Sequence, residues 1–255
     1  KGNRYMTEEM IPLGPTDRFR FGCGEAVPCF NECCRDLNQF LTPYDILRLK
    51  RHLGVPSHRF LADYAVIHTG PQTGLPVAVL RQGAEGDHPC PFVTPSGCAV
   101  YENRPSSCRI YPVARLLSRS RETGAVTEHF ALLREPHCQG FDRGREWTAA
   151  EWMADQGIAP YNEMNDRLME IIALKNRRFP GPLNLAARQA FRLALYDLDR
   201  FRPQVFQENL LRAFPVDPDL LEGAESDDAA LLRIGFQWIR ETLFKTEDGN
   251  GGADR

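Results

Sequence analysis

Residues 87–112 read DHPCPFVTPSGCAVYENRPSSCRIYP, and they set the character of the chain. Cys90, Cys98 and Cys108 stand there among Pro89, Pro91, Pro95, Gly97 and Pro105. Proline lacks an amide hydrogen and restricts both itself and the residue before it. The segment therefore reads as loops. Loops on a scaffold of short elements commonly carry ligands.

Working outward, the remaining cysteines fall into a group of four, Cys23, Cys29, Cys33 and Cys34, and a single Cys138. All eight cysteines lie between Cys23 and Cys138, and the last 117 residues hold none. Disulfides fit poorly. A chain this long does not need them, no secretory signal is visible, and adjacent Cys33 and Cys34 cannot bridge without strain. Isolated buried thiols would be scattered rather than clustered. Metal fits best, because zinc and iron–sulfur sites each take about four thiolates. Neighbouring Cys33 and Cys34 project in different directions, so they could serve two sites or share one multi-iron cluster.

The surroundings suit sulfur ligands. Gly22 and Gly24 flank Cys23, Gly97 precedes Cys98 and Gly140 lies just beyond Cys138. Without side chains these let backbone amides approach sulfur, which tunes a cluster's potential. Cys90-Pro91 is similar to the Cys-Pro of bacterial ferredoxin runs. Arg104 and Arg109 flank Cys108, and Arg35 follows Cys34. A four-thiolate site with Zn²⁺ carries a charge of about −2, which guanidinium groups would offset. The plainer reading of each arginine is a surface residue. His88 and His137 are candidate nitrogen ligands, whereas His52, His58, His68 and His129 read as ordinary solvent or turn residues.

The chain has 255 residues, 42% hydrophobic and 25% charged, enough for one large domain or two small ones. No apolar run approaches the roughly 20 residues that span a bilayer. Residues 1–9 are polar and lack a signal-type apolar core, so a cytoplasmic location is expected. The chain begins at Lys1 rather than Met, and native residues are expected ahead of it. Residues 1–145 carry 18 Lys+Arg against 15 Asp+Glu, a net +3, and the remainder 13 against 19, a net −6. Neither balance suits a nucleic-acid-binding domain. The short basic runs at 115–121 and 175–178 read as solvated faces.

The expected class is α+β: a cysteine-rich metal-binding region over 1–147 with short strands and loops, then an α-helical region over 148–246. A disordered tail is expected over 247–255. No internal repeat is visible. Thr42-Pro43-Tyr44-Asp45 is a helix start, and Gly54 stops that helix. Ser57 is expected to cap a second helix covering 60–64. Strand pairs are expected at 65–68 with 76–81, and at 113–118 with 127–134, the latter turning at Glu122-Thr123-Gly124. Thr148 and Glu151 form a capping box. Helical stripes at Met164, Leu168 and Ile171, at Phe191, Leu195 and Leu198, and at Leu232, Phe236, Ile239 and Leu243 read as core packing. Met164 and Met169 need no special role.

Phe21-Gly22-Cys23, Cys29, Cys33-Cys34 and the helix over Leu41–Ile46 resemble the opening of the YkgJ-type cysteine-cluster family. Its domain is described as chelating zinc or iron. Cys90-Pro91-Phe92, Gly97-Cys98, Tyr101-Glu102, Arg104-Pro105, Cys108-Arg109 and Tyr111-Pro112 resemble that family's second hallmark. Cys138-Gln139-Gly140 resembles a further family cysteine. The likeness covers about residues 21–147. It departs in the first motif, usually Cys-x-x-Cys-x-x-Cys-Cys, where the gaps here are five and three residues. The resemblance implies a bacterial protein, and some relatives are flagellin lysine N-methylases reported as iron–sulfur proteins.

The metal ligands expected are Cys23, Cys29, Cys33, Cys34, Cys90, Cys98, Cys108 and Cys138. The cofactor expected is an iron–sulfur cluster, 4Fe–4S first, with Zn²⁺ as the alternative. The function expected is one or two such clusters in a redox or electron-transfer role with a protein or redox partner, and no nucleic acid or membrane. Alternatives are a structural zinc domain presenting a helical partner surface, and a lysine N-methylase-like enzyme. The last lacks support from a Gly-rich strand–turn–helix or a Cys-x3-Cys-x2-Cys run. No catalytic residue is assigned.

Overall fold

Thr42 opens helix α1 (Pro43–Leu53) as expected: its side chain accepts from the Asp45 amide, and Asp45 caps Thr42 in return. Gly54 closes the helix in the left-handed region at φ 65°. The computed structural model describes residues 9–84, 86–120, 122–212 and 214–244. The expected tail at 247–255 lies outside them. Helices and small sheets are mixed, with a helical C-terminal region, so the class is α+β. No helix among the described residues is long and apolar enough to cross a membrane.

Contacts divide the chain into two units, Lys1–Gln39 with Leu80–Asn162, and Phe40–Val79 with Glu163–Arg255. All eight cysteines fall in the first.

In the first unit, β1 (Glu9–Leu13), β8 (Val113–Arg119) and β9 (Val126–Arg134) form a sheet in the order β1-β9-β8. The β8–β9 hairpin matches expectation, Val113 facing Leu132 across it. The pairing of β1 along β9, Glu9 opposite Arg134, has no local signal. β2 (Phe19–Phe21) pairs antiparallel with β10 (Arg145–Trp147). Phe19, Phe21, Val113, Leu132, Trp147 and Trp152 bury a common core, on which Ile110, Tyr111 and Cys138 pack. Both indoles are satisfied: Trp147 donates to the Phe21 carbonyl at 3.2 Å and Trp152 to the Ile110 carbonyl at 2.7 Å. α4 (Ala149–Asp155) starts with the expected Thr148–Glu151 capping box.

The middle segment is not all loop. β6 (Val93–Thr94) and β7 (Gly97–Cys98) form a tight hairpin, and α3 (Ser106–Ile110) follows Pro105. Prolines are tolerated here because Pro95 occupies the turn and Pro105 precedes the first helical residue.

In the second unit, β3 (Phe40–Leu41), β5 (Pro76–Leu80) and β4 (Ala65–Thr69) make a sheet in the order β3-β5-β4. Its helices are α1, α2 (Ser57–Tyr64), most of α5 (Ala159–Arg178), α6 (Leu185–Tyr196), α7 (Leu198–Phe206), α8 (Pro218–Ala224) and α9 (Asp228–Phe244). The stripe residues Met164, Ile171, Phe191, Leu195, Leu198, Leu232, Phe236 and Ile239 are buried, whereas Leu168 and Leu243 are only partly covered. Gly235 lets α9 approach α6, since a Cβ there would meet the Ala194 carbonyl at 2.3 Å.

Two expectations need correction here. Ser57 is not the cap of α2, a place taken by Pro56. Instead its hydroxyl donates to Asp197 at 2.8 Å and accepts from the Asp199 amide at 3.0 Å. Lys175, expected on a solvated face, is buried and donates to the Gly181 carbonyl.

Candidate metal centre

Short backbone pairings bring the cysteines together. The Gly22 amide donates to the Gly140 carbonyl at 3.0 Å, and Phe21 bridges Phe141. Cys23, after β2, is thereby held beside the loop that carries Cys138. The Gln139 amide in that loop donates to the Cys29 sulfur at 3.1 Å. Asn31 adopts the left-handed conformation at φ 70° and starts the 3₁₀ turn Glu32–Cys34 that presents Cys33 and Cys34. Asn tolerates this backbone better than most residues. Its side-chain amide also donates to the Thr94 carbonyl at 2.9 Å, fastening the turn to the β6–β7 hairpin.

The Cys90 amide donates to the Cys34 carbonyl at 2.8 Å, and Arg35 bridges Pro89. This ties the first cysteine group to the second. Gly97, at φ +114°, keeps the hairpin against Phe30, whose ring would be 3.1 Å from an added Cβ. Cys108 projects from α3 and its thiol donates to Gln39 Oε1 at 3.2 Å. Gln39 in turn donates to Ser107 Oγ at 2.6 Å and is buried. Sequence reasoning missed Gln39, which no motif singles out. An Asn before Glu-Cys-Cys was the available signal for the turn at Asn31.

The thiols feel one another in two sets that overlap at Cys33. Cys23 lies within electrostatic reach of Cys29, Cys33 and Cys138, and Cys138 within reach of Cys29 and Cys33. Cys34 is within reach of Cys90 and Cys108, Cys90 of Cys98, and Cys33 also of Cys90 and Cys98. Cys33 and Cys34, hydrogen-bonded to each other, join the sets. All eight cysteines are unbridged. Among the described residues no three His, Cys, Asp or Glu side chains stand in an ion's coordination shell.

Backbone amides are aimed at sulfur repeatedly. Phe92 and Val93 donate to Cys90, Val100 to Cys98, Gly140 to Cys138 and Gly24 to Cys23. The Gly140 and Gly24 amides approach sulfur as expected, and two of the glycines also serve close backbone crossings. Gly22 and Gly140 are needed because their backbones cross Gly144 and Phe21, at 3.0 and 2.7 Å from an added Cβ. Gly24 has open space around it.

Burial pushes the Cys23 thiol up to about 11, helped by Cys33, Cys29 and Cys138. Burial likewise raises Cys90, Cys98 and Cys138 against the pull of these amides. The Cys34 thiol donates to Cys33 and so holds Cys33 down to about 7, while Cys34 itself is strongly raised by that bond. Cys33 is thus the first of this pair to become thiolate. Tyr111, half-buried beside Cys138, has its phenol well above the usual range, chiefly through desolvation.

The candidate histidines stand apart from this pattern. His88 Nδ1 faces the Gly83 carbonyl at 3.2 Å, and His137 lies 3.7 Å from Glu135. Arg35 ion-pairs with Asp87 and lies 3.9 Å from Glu32. Arg104 and Arg109 are buried, contrary to the surface reading.

The donor chemistry fits thiolate-bound metal: soft sulfur donors, backed by N–H groups, in a unit rich in short loops. No curated protein and no solved structure matches the chain. The model of the CxxCxxCC family, described as a "Putative zinc- or iron-chelating domain", matches residues 23–139.

Proposed function

We propose that residues 23–139, as a CxxCxxCC domain, hold two iron–sulfur clusters through eight thiolates and use them for electron transfer with a protein partner in a reducing, cytoplasmic compartment. The observation that supports this reading is the gathering of the thiols around the adjacent Cys33 and Cys34, which we divide into two sets of four. One set is Cys23, Cys29, Cys33 and Cys138, and the other Cys34, Cys90, Cys98 and Cys108. Each set has the number of sulfurs that one four-thiolate centre takes.

A bound cluster would supply reversible one-electron chemistry. The protein's own part is to orient the sulfurs and to temper their charge. The amides of Phe92, Val93, Val100, Gly140 and Gln139 donate to thiolate sulfur, which favours the more negative, reduced form. Cys33, already the most acidic of its pair, is the natural first ligand.

Anaerobic metal and sulfide analysis with a visible spectrum tests the reading. Iron and acid-labile sulfide in similar amounts, with a broad band bleached by dithionite, are expected. Zinc without sulfide would replace the reading with a structural thiolate domain. A colourless protein without metal would overturn both.

A further inference from the structure

Arg104 and Arg109 are buried, at 7% and 9% exposure, in the same unit as the cysteines. Burying a guanidinium is costly unless an anion compensates it. Among the described residues, neither meets a carboxylate. Arg104 donates to the Tyr101 carbonyl at 2.7 Å and to Gln156 Oε1 at 2.5 Å. Arg109 donates to the Gln156 carbonyl at 2.6 Å and to the Glu102 carbonyl, not its carboxylate, at 2.5 Å. Arg109 Nε is buried with no partner at all. The flat faces are covered by rings, Tyr101 at 3.7 Å from Arg104 and Tyr161 at 5.1 Å from Arg109. These partners are neutral, so the two positive charges stand uncompensated.

The anions within reach are sulfurs. Arg104 lies in the field of both Cys98 and Cys108, and Arg109 adjoins Cys108 in α3. Arg35 makes the contrast: it too neighbours a cysteine, but it is more exposed and Asp87 neutralises it.

Resting on the reading above, we propose that Arg104 and Arg109 are charge-balancing positioning residues for the Cys34, Cys90, Cys98 and Cys108 centre, and that Gln156 brackets the pair. A four-thiolate centre keeps a net negative charge after its metal is counted. The buried guanidinium pair supplies the opposite charge without competing for the metal. In the metal-free protein the same pair is a liability, because neutral carbonyl, amide and ring groups alone surround it.

That sign reversal gives the test. Metal-free wild type and the variants Arg104→Met, Arg109→Met and Arg104→Lys are titrated anaerobically with Co²⁺ against a chelator, following the thiolate-to-cobalt band. Their metal-free thermal melts are followed by tryptophan fluorescence. The Met variants should lose Co²⁺ affinity at the second set by about tenfold or more, while melting no lower than wild type without metal. Arg104→Lys keeps the charge and should stay within about threefold of wild type. A merely structural role would lower the metal-free melt and leave affinity unchanged. Unchanged affinity in both Met variants, or a Lys variant as weak as Arg104→Met, overturns the proposal. Should the Met variants fail to fold, the Lys variant alone decides it. A wild type without a cobalt–thiolate band overturns the metal reading itself, and this role with it.

Discussion

The two units differ in how they hold their main groups of buried charge. In the helical unit, Lys50 is buried against Asp199 at 3.0 Å and Asp228 at 2.8 Å, and Asp228 also takes Arg202 and, at 3.3 Å, Arg51. These cations have carboxylates of the same unit as partners, whereas Lys175, also buried there, meets the Gly181 carbonyl. In the cysteine unit, Arg104 and Arg109 are buried with carbonyls and rings alone. The Lys50, Arg51 and Arg202 group of the helical unit is closed on the carboxylates of Asp199 and Asp228. The Arg104 and Arg109 pair of the cysteine unit meets no carboxylate among the described residues, and Arg104 lies in the field of the Cys98 and Cys108 sulfurs.

The largest effect that would probe this contrast is in the helical unit. Asp228→Ala leaves Lys50, Arg51 and Arg202 without their shared carboxylate and should cost about 3–5 kcal/mol in urea unfolding. Metal content should not change. A loss of metal in this variant would break the separation between the units' roles.

In the cysteine unit, Gly97→Ala forces a side chain into φ +114° and against Phe30. It should cost about 2 kcal/mol of stability, read by denaturation of the metal-loaded protein. A neutral result would show that the β6–β7 hairpin does not need its observed turn.

Metal binding to this unit should also depend on pH in a stated direction. Cys23, Cys34, Cys90, Cys98 and Cys138 are raised above the ordinary thiol value, so each keeps its proton at neutral pH. Binding must expel those protons. Affinity should therefore rise with pH, by at least about tenfold per unit from pH 6 to 8 for each proton released. Proton release can be followed by an indicator dye, and a pH-independent affinity would contradict the thiol assignments.

The smallest effect concerns Gln39→Ala. It removes the acceptor of the Cys108 thiol and the donor to Ser107, and should cost about 1 kcal/mol. If stability fell much further, Gln39 would be holding more of the unit than these two bonds.

How much of this was legible beforehand follows from how local each signal is. Thr42 with Asp45, Gly54, and Thr148 with Glu151 carry their whole meaning within a few residues, and those helix ends came out as read. The β8–β9 hairpin has its turn beside it in sequence. β1 has no such help, since its partner β9 lies more than a hundred residues away. The stripe through Phe191, Leu195 and Leu198 reads as one helix. Asp197 divides it, with φ −115° and ψ 62°, because its carboxylate is committed to Ser57. The β6–β7 strands are two residues long, too short to show a period.

At the site, the cysteine groups were visible from spacing, and the neighbouring arginines from position. Their burial was not, because arginine is ordinarily exposed and no composition rule marks an exception. Nor could spacing show that Cys138 joins Cys23, Cys29 and Cys33. That depends on the pairing of Gly22 with Gly140 across the unit.

The central claim is that Cys33 and Cys34 belong to different centres. Metal and sulfide per chain, measured anaerobically on wild type, Cys33→Ser and Cys34→Ser, test it most directly. Each variant is expected to keep about half the wild-type metal, one four-thiolate centre having lost a ligand, with Cys33→Ser sparing the set that includes Cys90. Both variants losing all metal, or neither losing any, would contradict the two-centre account.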